Sequence, residues 1–163
     1  MSNRGLLCGL VLGIAGLAGG GSQARGADFT TIVLSTDVAR PAGEVWKEVG
    51  EFCDVGAWLK MKCAYVSGTG GLGSVRQLAG RIDEVMVAQT AHSYTITQPA
   101  NKDLFHATLG VEPTGPEKSR IVYSIVYDQS NLEPGETKER YRAQHIRMFT
   151  SALALMKKRV EGR

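Results

Sequence analysis

Histidine and cysteine are scarce in this chain, and the few present lie far apart. The three histidines, His92, His106 and His145, have no ligand spacing, so neither a metal centre nor any other cofactor is expected. No stripe of lysine and arginine is interleaved with aromatics. With 19 basic against 16 acidic side chains, the formal charge of +3 is too small to argue for nucleic acid. A nucleophile-elbow sequence is missing, which leaves acyl-transfer chemistry without support. No unbroken apolar run reaches the roughly 20 residues of a bilayer span. No repeat or second domain is visible. What remains is 43% apolar and 21% charged over 163 residues, which is enough for one globular domain with a real core.

The N-terminus stands apart from that domain. Arg4 precedes a Gly-, Leu- and Ala-rich run from Gly5 to Gly21, and Ser22-Gln23-Ala24 follows. A short basic region, an apolar region and a small-x-small site make a secretory signal. The expected organisation is a signal peptide over 1–24, with Ala27 as a second cleavage choice, and one domain over 25–163. The expected address is secreted, in a bacterial periplasm, with no stable membrane insertion after cleavage. Loss of Arg4 lowers the net charge from +3 to +2. Loss of Cys8 leaves Cys53 and Cys63, an even pair ten residues apart. In an oxidising compartment such a pair invites a disulfide, the rival being two buried free thiols.

Along the mature chain, Asp28–Ala39 is rich in Thr, Val and Ile and reads as a strand. Pro41 then opens a helix whose Val45, Trp46, Val49 and Phe52 form one apolar stripe. A break at Cys53–Gly56 leads to a short segment carrying Trp58. Five strand-like runs follow, at Cys63–Gly68, Ser74–Ala79, Ile82–Gln89, His92–Gln98 and Leu104–Glu112. Gly80-Arg81 and Ala91-His92 look like hairpin connections. Pro113–Pro116 reads as a loop, and Arg120–Asp128 as the last strand. A long closing helix is expected from near Pro134, with Ile146, Phe149, Leu153, Met156 and Val160 on one face and Tyr141, His145 and Ala152 flanking it. Consecutive hairpins require an antiparallel sheet with one face to bury, and only the terminal helix is long enough to cover it. The fold class is therefore α+β, a curved seven-stranded antiparallel sheet with two short helices wrapped on a long C-terminal helix, the helix-grip arrangement.

Pro41-x-x-x-Val45-Trp46, then Gly50-x-Phe52, then Trp58 on a second short helix resembles the START/Bet v 1-like superfamily, in its bacterial SRPBCC (polyketide cyclase/dehydrase-type) branch. Gly73-Ser74-Val75-Arg76, with Glu84 eight residues on, resembles the same branch's Gly-x-Val/x-Arg…Glu pattern on adjacent strands. The resemblance implies that the space between sheet and helix is a ligand cavity for an apolar molecule. Two departures limit it. Trp58 is followed by Leu59 and Lys60, where relatives often read His-Pro, and the Gln98–Lys102 loop is less proline-rich than in relatives. Both segments flank the cavity entrance.

The candidate ligand-binding residues are Trp58, Arg76, Glu84, Tyr94, Phe105, Tyr123 and Phe149. Alternation along the strands places Phe105, Ala107 and Leu109 on one face and Tyr123, Ile125 and Tyr127 on another, with Tyr94 and Ile96 on the hairpin between. Arg76 and Glu84 can meet across their hairpin, either as a polar anchor in the cavity or as a rim ion pair that fixes register. Tyr94, His106, Tyr123 and Glu84 are general acid or base candidates in a cyclase-like cavity. Gly68-Thr69-Gly70-Gly71-Leu72-Gly73 matches a dinucleotide fingerprint, but no helix follows it, so it reads as a hairpin loop. Three functions follow in order: a secreted binder of a hydrophobic small molecule or lipid; a cyclase/aromatase- or dehydrase-type enzyme using the same cavity; an interaction module whose interior is filled by its own side chains.

Overall fold

The computed structural model describes residues 26–162, so the expected signal peptide over 1–24 lies outside the described residues. The elements run β1 (Phe29–Val38), α1 (Ala42–Val49), α2 (Asp54–Leu59), β2 (Cys63–Ser67), β3 (Val75–Leu78), β4 (Ile82–Thr90), β5 (Ser93–Thr97), β6 (His106–Gly115), β7 (Lys118–Asp128) and α3 (Lys138–Glu161). Strands pair antiparallel in the order β1-β7-β6-β5-β4-β3-β2. Every neighbour is thus a hairpin partner except β1, which joins β7 over its whole length from Phe29↔Asp128 to Val38↔Ser119. The two short helices carry the chain from one sheet edge to the other. This is the helix-grip fold expected from the strand and helix pattern.

The inner face is formed differently from the two-face expectation. Ala107 lies opposite Ile125 and Leu109 opposite Tyr123, while Tyr94 pairs with Leu109 and Ile96 with Ala107. Residues directly opposed in a ladder share a face, so both sets line one concave surface. Against it α3 presses Ala152, Leu153, Met156 and Val160, all buried, along with His145. The centre of the helix's buried stripe is therefore nearer His145 than Ile146, which is only half-buried.

Two boundaries move. The expected Pro113–Pro116 loop shrinks to the turn at Pro116-Glu117, because β6 continues through a bulge to pair Gly115 with Lys118. The closing helix starts later than Pro134. Gly135 turns the chain at φ 85°, and Thr137 is the N-cap, its hydroxyl accepting from the Arg140 backbone N–H at 3.2 Å.

Pro41 caps α1, which buries Val45 and Val49 at four-residue spacing. Phe52 lies beyond the helix end yet is fully buried. The Gly-x-Phe motif has a steric cause, since a Cβ on Gly50 would stand 2.4 Å from the Trp46 ring. Cys53 and Cys63 form the disulfide, with Cα atoms 5.6 Å apart, and the free-thiol alternative falls. The bond ties the N-cap of α2 to the first residue of β2.

Candidate functional site

Between the concave sheet, α2 and α3 lies a cavity of about 180 Å³. Short α2 contributes Val55, Trp58 and Leu59 as one wall, held by the disulfide at one end and by a left-handed Lys60 (φ 54°) at the other. The sheet floor is Leu78, Ile96, Ala107 and Tyr123, extended by Phe105 just before β6. From α3 come His145, Met148, Phe149 and Ala152. All seven candidate ligand residues, Trp58, Arg76, Glu84, Tyr94, Phe105, Tyr123 and Phe149, border this one space. Its aromatic side is continuous. Phe149 stacks on Phe105 at 6.3 Å and meets Tyr123 edge-on at 4.8 Å, and His145 stacks on Tyr127 at 4.8 Å.

Arg76 and Glu84 are opposed in the β3–β4 register and are only 3% and 5% exposed, so they are no rim pair. Arg76 Nε donates to Glu84 Oε2 at 2.8 Å, and Nη2 lies 2.6 Å from the same oxygen. Nη1 donates to the Phe52 carbonyl and, at 3.3 Å, to Tyr94 Oη. The guanidinium also sits 4.3 Å from the Phe52 ring centre, a cation–π contact. Burial opposes its charge, yet the interactions with Tyr94 and Glu84 prevail and its pKa is raised. Glu84 Oε1 accepts from Gln98 Nε2 at 2.8 Å, and Gln98 Oε1 accepts from Asn101 Nδ2 at 2.5 Å. A polar ladder thus runs from the interior to the surface along one side of an otherwise apolar space.

Burial raises the phenols of Tyr94 and, more strongly, Tyr123, so both are neutral hydroxyls at physiological pH. Of the four acid–base candidates, His106 is displaced. It is exposed at the start of β6 with Nδ1 2.8 Å from the Leu104 carbonyl, and it does not border the cavity. Glu84 is held by Arg76 and Gln98, an arrangement suited to a fixed anchor more than to a proton-transferring base. The glycine-rich stretch is the loop of the β2–β3 hairpin, with Gly68, Gly70 and Gly73 at positive φ, and no helix opens from it. Among the described residues no group of three or more metal-ligating side chains occurs, and no helix is long and apolar enough to cross a membrane.

Residues 30–161 match a protein family described as polyketide cyclase / dehydrase and lipid transport. The chain belongs to that family. Several solved structures share the fold of this polyketide cyclase / dehydrase and lipid transport family member. A protein from Thermobifida fusca, 20% identical, superposes with a TM-score of 0.63 over 80% of this chain and 95% of its own. A protein from Nitrosospira multiformis, 18% identical, gives 0.62 over 78% and 94%. Ara h 8.0201, 15% identical, gives 0.62 over 83% and 100%. At these identities the likeness is one of fold. No curated protein matches the chain in sequence.

Several lining residues escaped the sequence reading. Gln98, one residue past the end of β5, continues the Tyr94–Ile96 alternation, and His145 stands one helical turn before Phe149. Both periodicities were available to find them. Met148 and Asn101 carried no such signal, because the loop and helix meet there only in the folded chain.

Proposed function

We propose that this protein binds a small hydrophobic molecule reversibly between its sheet and α3, without covalent chemistry. The observation that carries the reading is the cavity itself: about 180 Å³, mostly aromatic and aliphatic, with a fixed polar ladder on one side. An apolar cavity of roughly 150 Å³ takes up benzene, whereas drug-sized ligands occupy about 300 Å³ or more. The occupant is therefore of single-ring size, and a long-chain lipid needs α2 or α3 to move. The family's description covers both lipid transport and cyclase or dehydrase chemistry, and the engagement of Glu84 by Arg76 and Gln98 weighs against the cyclase alternative.

We further propose that the protein acts outside the cytoplasm. Support comes from the Arg4–Ala24 pattern together with the Cys53–Cys63 disulfide. Native mass spectrometry of detergent-free protein should show bound or exchangeable small apolar molecules, and an empty protein that takes up none overturns the binding reading. Intact mass of the chain recovered from the periplasm should correspond to cleavage after Ala24. Uncleaved chain confined to the cytoplasm overturns the export reading.

A further inference from the structure

Buried polar atoms normally find hydrogen-bond partners, so each exception needs a reason. Among the described residues the fully enclosed side-chain atoms without one are Trp58 Nε1 and Asp103 Oδ1. Two further atoms have no hydrogen-bond partner among the described residues and are not fully enclosed: Tyr123 Oη and His145 Nε2. Their residues are only 6% and 7% exposed, and both border the cavity. Each stands beside Phe149, with ring centres 4.8 and 6.3 Å from it.

The roles of the two atoms follow from their surroundings. His145 Nδ1 lies 3.0 Å from the Tyr141 carbonyl oxygen, which can only accept. Nδ1 therefore carries the proton, and in the neutral ring Nε2 is a lone-pair acceptor. Tyr123, kept protonated by burial, offers an O–H donor. The charged side chains of the lining, Arg76 and Glu84, neutralise each other, so a carboxylate ligand would be buried without a free cation.

We infer that the cavity selects a neutral single-ring molecule bearing a hydroxyl group, whose O–H donates to His145 Nε2 while Tyr123 Oη donates to a ligand oxygen. This rests on the cavity-binding reading and adds the chemical class of its ligand. The aromatic side supplies the ring contact, and the two unpaired atoms supply orientation. A hydrocarbon of the same shape leaves both of them buried and unsatisfied, which is the usual basis of polar discrimination in an apolar site.

The test uses the full chain and three probes: 4-ethylphenol, 4-ethyltoluene of nearly the same shape, and benzoate. Titration calorimetry gives the preference for the phenol over the toluene. Because free phenol is better hydrated, the decisive quantity is how that preference changes with substitution. His145→Phe and Tyr123→Phe should each lower it about tenfold, equivalent to roughly 1.4 kcal/mol, with 4-ethyltoluene still bound. If His145→Phe does not fold, the imidazole resonances of the unsubstituted protein decide. The His145 Nε2 signal should move on adding 4-ethylphenol and stay fixed with 4-ethyltoluene. Toluene binding with an unchanged preference, or benzoate as the tightest probe, overturns this inference and leaves the cavity reading standing. No binding by any probe overturns both.

Discussion

Arg76 and Glu84 are the costliest residues in the interior to disturb singly. Two ions removed from water are tolerated because each satisfies the other, and loss of one partner leaves an uncompensated charge. Glu84→Gln should therefore lower unfolding stability by about 3–5 kcal/mol. The double replacement Arg76→Met with Glu84→Leu should cost much less than the sum of the single changes. Urea unfolding of the three variants checks this, and simple additivity would count against a mutually dependent pair. The tyrosines make a second residue-level prediction. Tyr94 and Tyr123 hold their protons above the ordinary 10.0, because burial penalises the phenolate. Below pH 10 the folded and unfolded chains are equally protonated at these sites, so their contribution is fully present. Above it only the unfolded chain ionises, and stability should fall by up to about 1.4 kcal/mol per pH unit for each until the folded pKa is reached. Denaturant series from about pH 8 to 11, followed by tyrosinate absorbance, read this directly. Full tyrosinate absorbance at about pH 10.5 with the fold intact would refute it. Arg76 and Glu84 were legible as a pair from their spacing on adjacent strands. Their burial was not, since exposure depends on α1–α2 passing over the hairpin.

Among the elements, α2 is the most dependent on outside support. It has six residues, no side-chain cap at Cys53 and a left-handed end at Lys60. An isolated helix of that length does not persist in water, so the disulfide and the packing of Val55 and Trp58 hold it. Replacing both Cys53 and Cys63 by Ser should cost about 2–3 kcal/mol, the range expected for a short closed loop. The same change should weaken ligand uptake, because α2 forms a cavity wall. Unfolding and ligand titration of the double variant test the two effects separately. At this scale the sequence was read well where one periodicity governed, as in β1, α1 and the strands of β4 and β5. It was read less well where a breaker residue was ambiguous. Pro113 suits a loop but lies in a bulged strand end, and Pro134 suits a helix start but precedes a glycine turn.

For the whole molecule, the long α3 closes one side of a curved sheet whose inner face is not completely filled. Occupying the remaining space should stabilise the folded state by mass action. Free ligand at about 100 times Kd should add about 2.7 kcal/mol, visible as a rise in thermal or urea midpoint that saturates with 4-ethylphenol. A midpoint indifferent to every small apolar compound would point to an interior that works only as a core.

Amino-acid order alone determined most element types, the antiparallel hairpin succession and the covering helix, and it brought Cys53 and Cys63 within reach of each other without deciding between a disulfide and two thiols. Each of these is encoded by residues close in the chain, through period, turn chemistry or a short loop. The tertiary structure alone decided that Phe105, Ala107, Tyr123 and Ile125 share one face, that Asn101 and Met148 border the cavity, and that about 180 Å³ stays open. A void is the small remainder after side chains from α2, α3 and most of the sheet have packed against one another. It depends on contacts between distant segments, and no local pattern records it.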